Sequence, residues 1–172
     1  MANRESLCSR KLITTLNFNT MITKEQVMEA QEKWGNGVVQ IGSLKESREE
    51  CEAFTSQFLD NRYSFDKTVL FKPTKCEIEQ FRPSKAEATS YFIAGDGRAC
   101  SEDHGFAIQP WTKVRFENHG IILEESRAIA IRNYFFTDLN GNEGKVEYTF
   151  GYQLISGELK IDLHHSSFPF AH

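Results

Sequence analysis

Two histidines and two serines stand side by side near the C-terminus, at the end of a strand-like stretch. The run from His164 to Ser167 (HHSS) follows residues 159–163, in which apolar and polar residues alternate. Residues two apart share a face of a β-strand, so His164 and Ser166 lie together and the other two residues lie on the opposite face. Imidazoles titrate near neutral pH, and hydroxyls both donate and accept hydrogen bonds. One such pair could line a cavity as a base with a hydrogen-bonding partner; the alternative is a polar strand end at the surface.

Two further hydroxyl groups stand beside predicted strands. The apolar run Val69-Leu70-Phe71 predicts a short strand, because Pro73 removes a backbone donor and ends it, and Thr74 follows directly. Residues 91–94 (YFIA), which begin with Tyr91, predict another strand, ended by a Gly-Asp-Gly turn.

These four side chains would form one cluster if the sheet that carries them curls. Thr74, Tyr91, His164 and Ser166 could then hold a water or a small oxyanion by hydrogen bonds, with His164 as general base. Each residue alone also has a purely structural interpretation. Tyr91 could be a core aromatic, Thr74 a turn residue and Ser166 a strand end.

The elements that position this cluster begin with two helices. The sequence TKEQ at residues 23–26 fits a capping box, and apolar residues then recur at steps of three and four from Val27 to Ile41. A second helix is predicted from Ser47 to about Asn61.

Long strands joined by turns follow the helices. They are predicted over residues 111–123, 126–137, 145–155 and 159–169, with a bulge or turn at 118–120. Helices segregated from antiparallel strands indicate an α+β fold, in which a curved sheet wraps round the N-terminal helices as a cone with a pocket at one end. We expect one such domain over residues 21–172, preceded by an N-terminal arm over residues 1–20.

Composition excludes several classes of function. The net charge of −4 argues against nonspecific nucleic-acid binding, and no apolar run is long enough to span a membrane. The four cysteines are widely spaced and no secretory signal is recognised, which predicts free thiols in a reducing, cytoplasmic compartment.

A metal site has little support from spacing. Adjacent histidines on a strand point to opposite faces, so His164 and His165 make a poor ligand pair. Asp103, His104 and His119 fall in predicted loops and turns without the short spacing that is usual among metal ligands.

The opening helix, from residues 23–26 through Trp34-Gly35-Asn36-Gly37, and the closing motif at residues 164–169 (HHSSFP) resemble the iota-class carbonic anhydrases over roughly residues 20–170. That family is similar to the association domain of calcium/calmodulin-dependent kinase, with a nuclear-transport-factor-like, or cystatin-like, α+β barrel that is usually dimeric or larger. The resemblance implies a lyase that interconverts CO2 and bicarbonate. Some members are described as manganese-dependent and others as metal-free.

Carried over to this chain, the resemblance implies that Thr74, Tyr91 and Ser166 bind bicarbonate and that His164 removes the proton from water. Leu163 stands where the family has a third histidine, which favours the metal-free variety over one that uses manganese or zinc. We therefore expect no cofactor, CO2 and bicarbonate as ligands, and a homodimer.

Two alternatives stay open at this stage. The first is a non-catalytic oligomerisation or small-ligand-binding module of the kinase association-domain type. The second is a proton-transferring isomerase, which needs a carboxylate in the pocket. Strict alternation places Asp162 on the same face as His164, and it is the one carboxylate that the sequence offers there.

Overall fold

The computed structural model describes residues 21–109 and 111–171, so the predicted arm over residues 1–20 lies outside the described residues. The described chain is a mixed α+β fold, as predicted. Its elements, in chain order, are α1 (Lys24–Ser43), α2 (Arg48–Arg62), β1 (Leu70–Lys72), α3 (Lys85–Ile93), β2 (Lys113–Leu123), β3 (Arg127–Thr137), β4 (Glu143–Ile155) and β5 (Glu158–Ser167). Within the described ranges, no helix has the length and apolar character needed to cross a bilayer.

The first helix begins at the predicted capping box. The Thr23 hydroxyl accepts a hydrogen bond from the backbone of Gln26 at 3.2 Å, and the Gln26 side chain accepts one from the Thr23 backbone at 2.8 Å. The apolar face of α1 is buried against the sheet and centres on Trp34. A methyl group on Gly37 would lie 2.4 Å from the Phe58 ring, so this glycine lets α2 pack closely against α1.

All five strands form one sheet in the order β1-β5-β4-β3-β2. Neighbours from β5 to β2 are antiparallel, whereas β1 lies parallel to β5 at the edge, with Phe71 opposite His164. A register shift between Asn118 and Gly120 confirms the predicted irregularity in β2. Alternate residues of β3 and β4 are buried, which places an aromatic layer between the sheet and the helices.

The prediction of a strand over residues 91–94 was wrong, because these residues belong to the end of α3 or follow it directly. A second capping box starts that helix: the Ser84 hydroxyl accepts from the Glu87 backbone, and the Glu87 carboxylate accepts from the Ser84 backbone. A four-residue apolar run does not by itself distinguish a buried strand from a buried helix. Tyr91 is therefore carried by a helix that packs beside α2.

Candidate active site

A β-bulge in the last strand decides which of its residues face the helices. Ile161 pairs with Tyr152 of β4, but Leu163 pairs with the next residue along, Gly151, so Asp162 is an extra residue on β5. Before the bulge the odd-numbered residues are buried, and after it the even-numbered residues are buried.

The bulge thus turns His164 and Ser166 into the interior, where each is only 2% exposed, and leaves His165 exposed on the outer face. Without the extra residue, strict alternation from Ile161 would bury Leu163 and turn the histidine outward.

Asp162 does not share a face with His164, contrary to the strict alternation predicted for this strand. Its carboxylate pairs with the Arg127 guanidinium at 2.5 and 3.1 Å and accepts from the Gln153 amide at 2.8 Å. The isomerase alternative required this carboxylate as a free base in the pocket, so it loses its catalytic group.

The imidazole of His164 is enclosed by aromatic rings. The Phe71 ring stacks on it at a centroid distance of 4.5 Å, and the Phe150 and Trp34 rings approach edge-on at 4.3 and 5.6 Å. Burial in this aromatic cup lowers the pKa of His164 well below its ordinary value, and the neighbouring His165 adds a smaller effect in the same direction. His164 is therefore neutral at pH 7.

One ring nitrogen of His164 belongs to a buried hydrogen-bond chain. The Tyr63 hydroxyl lies 2.8 Å from Nδ1, and the indole N–H of Trp34 donates to the same hydroxyl at 2.9 Å. Tyr63 directly follows α2, and burial raises its pKa well above the usual tyrosine value, so its hydroxyl stays protonated. These hydrogen bonds fix the orientation of the imidazole, so that Nε2 points away from Tyr63.

The Nε2 atom faces two hydroxyl groups. Ser166 Oγ lies 3.4 Å from it and the Tyr134 hydroxyl 3.5 Å. Sequence reasoning missed Tyr134: the alternation of β3 placed it on one face of the strand, but nothing in the local sequence distinguished it from the other buried aromatics.

The remaining predicted residues, Thr74 and Tyr91, belong to two neighbouring elements: the N–H of Lys75, one residue after Thr74, lies 3.5 Å from the Tyr91 hydroxyl, and the Tyr91 ring meets the Phe71 ring edge-on at 5.8 Å. Burial raises the pKa of Tyr91 well above its usual value, and hydrogen bonding to the Lys75 backbone and the Thr74 hydroxyl offsets this in part. Burial also raises the pKa of Tyr134, and the hydroxyls of Ser166 and Thr74 act against that rise.

We call this set of side chains the hydroxyl cluster; it consists of Thr74, Tyr91, Tyr134 and Ser166, beside the imidazole of His164. Every member is buried and every member is neutral at pH 7. Buried hydroxyls of this kind can donate hydrogen bonds to the oxygens of a small anion, and the neighbouring imidazole nitrogen can accept or donate according to its tautomer.

The described residues offer no alternative centre for a metal ion. Across residues 21–109 and 111–171 there is no group of three or more histidine, cysteine, aspartate or glutamate side chains that could bind one. Asp103, considered above, accepts an ion-pair hydrogen bond from Arg82 at 2.7 Å, and His119 lies in β2 beside its bulge.

Comparison with protein-family models finds a match to the metal-independent carbonic anhydrases over residues 25–168. A curated protein of that description from Nostoc sp. (strain PCC 7120) is 34% identical over 171 residues, which cover 96% of this chain and 83% of the relative.

Solved structures give the same result. The iota-carbonic anhydrase from a cyanobacterium, crystallised as a complex with bicarbonate, superposes with a TM-score of 0.84 at 33% identity, over 90% of this chain and 96% of that one. A calcium/calmodulin-dependent protein kinase II association domain from Xanthomonas campestris superposes with a TM-score of 0.57 at 21% identity, over 83% and 85% of the two chains, and shows likeness of fold alone. Since the family model covers most of the chain and the relatives match it almost from end to end, this protein belongs to the metal-independent carbonic anhydrase family.

Proposed function

We propose that this protein catalyses the reversible hydration of CO2 to bicarbonate at the hydroxyl cluster. The observation that carries the proposal is that the Ser166 and Tyr134 hydroxyls face Nε2 of the buried, neutral imidazole of His164. Tyr91 packs on the Phe71 ring that stacks on this imidazole, and the Thr74 hydroxyl lowers the pKa of both Tyr91 and Tyr134. Support comes from the related cyanobacterial enzyme, which was crystallised with bicarbonate. Membership of a metal-independent family also confirms the expectation that no metal cofactor is needed.

The hydroxyls act by positioning. CO2 is apolar and suits the aromatic surroundings of His164, which include the rings of Phe71, Phe150 and Trp34. As water adds to the carbon, negative charge develops on the CO2 oxygens, and hydrogen bonds from Thr74 and Tyr91 stabilise it at sites that are already oriented. Fixed donors in a dry site need no reorganisation when the charge appears.

His164 is proposed as the general base. In the hydration direction a bond forms between the water oxygen and the carbon of CO2, and the departing proton passes to Nε2, the nitrogen that faces Ser166. The proton then leaves for solvent or buffer, because the aromatic cup disfavours the imidazolium form. Dehydration of bicarbonate is the same sequence in reverse.

This role fixes the tautomer that His164 must adopt. A free lone pair on Nε2 requires the ring proton to be on Nδ1, donated to the Tyr63 oxygen that lies 2.8 Å away. That oxygen then accepts from both Trp34 and His164. The opposite tautomer, with Tyr63 donating to Nδ1, would make His164 a hydrogen-bond donor to the bound anion.

The experiment that tests the proposal is stopped-flow measurement of CO2 hydration by protein treated with EDTA. We expect the chelator to leave the rate unchanged, and we expect a slower enzyme than one built on zinc-bound hydroxide, because no metal lowers the pKa of the attacking water. Loss of activity with EDTA and its return with manganese or zinc would refute the metal-free mechanism. Absence of activity in untreated protein would favour a non-catalytic module.

We also propose that the protein forms a homodimer through the face of the sheet that the helices leave uncovered. A groove of about 630 Å³ lies on this face, lined in part by Ile131, Thr149 and His165, and Ile131 is half exposed. An exposed apolar side chain in a concave surface supports an interface. Sedimentation analysis should give a dimer for the native protein and a monomer for Ile131→Asp; a monomeric native protein would refute the proposal.

A cytoplasmic location is proposed on the chemistry of the cysteines. Cys51, Cys76 and Cys100, the three among the described residues, are free thiols. Free thiols persist where the compartment is reducing. Fluorescence microscopy of a tagged protein tests this, and accumulation in an oxidising compartment would contradict it.

A further inference from the structure

The segment that carries Thr74 is anchored by a carboxylate from another loop. This segment, residues 73–83, joins β1 to α3 without a helix or strand of its own. Glu102 accepts hydrogen bonds from the backbone amides of residues 77–79 at 2.7, 3.1 and 2.7 Å. These bonds lower the pKa of Glu102, so the carboxylate remains charged and holds the middle of the segment.

The end of the same segment is held by a buried ion pair. Nη2 of Arg82 donates to Oδ1 of Asp103 at 2.7 Å, and both side chains are fully buried. The second carboxylate oxygen accepts from the Ser90 hydroxyl at 2.6 Å. Because Ser90 immediately precedes Tyr91 in α3, the ion pair joins the Thr74 segment to the helix that carries the tyrosine of the hydroxyl cluster.

Backbone bonds connect the same pair to the walls of the cup. The N–H of Arg82 donates to the carbonyl of Phe71 at 2.8 Å, and the Phe71 ring stacks on His164. Three residues after Asp103, the N–H of Phe106 donates to the Tyr91 carbonyl at 2.8 Å, and the Phe106 and Tyr91 rings stack at 5.5 Å. The ion pair is therefore bonded to all three parts of the molecule that position the site: the segment that carries Thr74, the helix that carries Tyr91, and Phe71, which stacks on His164.

Stability alone does not account for a buried ion pair at this place. The free energy needed to remove two charges from water is about as large as the free energy gained from their attraction. Apolar residues of similar volume often stabilise a fold equally well. An ion pair with directed hydrogen bonds does fix distance and angle, which apolar contacts do not. In this protein the ion pair connects the segments that carry the Thr74 and Tyr91 hydroxyls, and both hydroxyls are proposed to hydrogen-bond to the same small anion.

We propose that Arg82 and Asp103 are positioning residues that set the separation between the Thr74 and Tyr91 hydroxyls, and with it the affinity of the hydroxyl cluster for bicarbonate. This inference rests on the proposed function. Neither residue touches substrate; both act through the segment and the helix that they join.

The test is the double variant Arg82→Met with Asp103→Leu, which replaces the ion pair by apolar side chains of similar size. We expect its melting temperature to fall by a few degrees, because the Ser90 hydroxyl loses its acceptor and the carbonyls of Glu79 and Phe81 lose a donor, while both buried charges are removed together. We expect KM for bicarbonate dehydration to rise about tenfold or more with a smaller change in kcat, because displaced donors bind the anion poorly in both the ground state and the transition state. A purely structural role would change the melting temperature and leave KM alone.

Conservative and matched variants complete the design. Arg82→Lys keeps the charge but not the forked geometry, so it should restore part of the affinity relative to the double variant. Asp60→Asn removes an ion pair with Lys85, 2.6 Å long and more exposed, at the other end of α3. It should leave KM at the native value, since that pair does not reach the Thr74 segment.

The outcomes separate this inference from the proposed function. Bicarbonate binding is also measured directly, by titration of protein amide shifts in NMR spectra. A folded double variant that binds bicarbonate as the native protein does would overturn the inference, whether or not CO2 is hydrated. If the double variant fails to fold, Glu102→Gln gives the decision: it should weaken bicarbonate binding severalfold in a folded protein, and unchanged binding would equally overturn the inference.

Discussion

The hydroxyl of Tyr63 lies 2.8 Å from Nδ1 of His164 and at the same time accepts a hydrogen bond from the indole of Trp34. Tyr63 directly follows α2, His164 lies in β5 and Trp34 lies in the middle of α1. The Tyr63 hydroxyl therefore connects three elements behind the imidazole. The proposed general base is thus oriented by other side chains, an arrangement that is common in catalysis. Here the orienting group is neutral, which suits an imidazole that is itself neutral.

Replacing Tyr63 by phenylalanine should lower both activity and stability. The change leaves the Trp34 N–H and His164 Nδ1 buried without partners, and each such loss costs about 1–3 kcal/mol. We expect kcat to fall by about tenfold or more as the imidazole loses its fixed orientation, measured by stopped-flow hydration of CO2. Tyr152→Phe is the matched control, because the buried hydroxyl of Tyr152 has no partner in the described part of the chain.

Nitrogen-15 NMR of His164 tests the orientation directly. A general base at Nε2 requires the ring proton on Nδ1 in native protein at pH 7, and Tyr63→Phe should shift the tautomer balance. A native protein with the proton on Nε2 would contradict the general-base role and would make His164 a donor to the bound anion.

Removing single hydroxyls from the cluster should abolish most of the turnover without changing assembly. For Ser166→Ala and Tyr91→Phe we expect kcat/KM to fall by about 100-fold to 1000-fold each, the range seen when one oxyanion donor is lost. Ser126→Ala, in the exposed turn between β2 and β3, is the control for the first variant. Sedimentation of all three should match the native protein; altered assembly with unchanged turnover would favour the oligomerisation module.

Much of this fold can be predicted from the sequence, because its signals are local. The capping box at Thr23, the spacing of apolar residues in α1 and the alternation in β3 and β4 each act within a few residues. The expected approach of Thr74 to Ser166 needs the sheet to curl; in the structure Ser166 and Tyr134 both face Nε2 of His164, and the hydroxyls of Ser166 and Thr74 both lower the pKa of Tyr134.

The parts that were missed depend on residues outside the short runs themselves. Residues 91–93 of the YFIA run are helical because a capping box seven residues before Tyr91 starts α3, and the short run itself carries no period. The side of the sheet that Asp162 faces depends on a bulge opposite Gly151, and alternation within β5 cannot reveal a register shift against its neighbour. Tyr63 and Tyr134 acquire roles only through contacts about 100 and 30 residues away in sequence.

The bulge itself can be tested at Gly151. A Cβ there would lie 2.9 Å from the Leu163 Cβ and 3.0 Å from an Asp162 carboxylate oxygen, so Gly151→Ala forces the bulge to move. We expect a loss of about 1–3 kcal/mol in the free energy of unfolding, measured with urea, and a fall in activity as His164 shifts. Gly144→Ala in the same strand is the control, because its Cβ would meet only an ordinary contact at 3.8 Å. Equal effects of the two substitutions would mean that the bulge does not position the histidine.

Burial of neutral His164 also makes the free energy of unfolding depend on pH. The folded pKa lies well below the ordinary value of 6.5, so between those two values the unfolded chain binds a proton at this site and the folded protein does not. Stability is therefore fully present above about pH 6.5 and falls as the solution becomes more acidic, by at most about 1.4 kcal/mol per pH unit from this one group. Among the described residues, no aspartate, glutamate, lysine or arginine hydrogen-bonds to the ring. The titratable groups beside it are Tyr63, Tyr134 of β3 and the adjacent His165, and its other partners are Trp34 of α1, Phe71 of β1, Phe150 of β4 and Ser166 of β5. Urea unfolding at pH 7.5 and 5.5 should give a drop for native protein that is about 1 kcal/mol larger than for His164→Gln, and an equal drop in the two proteins would show that the imidazole is protonated in the fold.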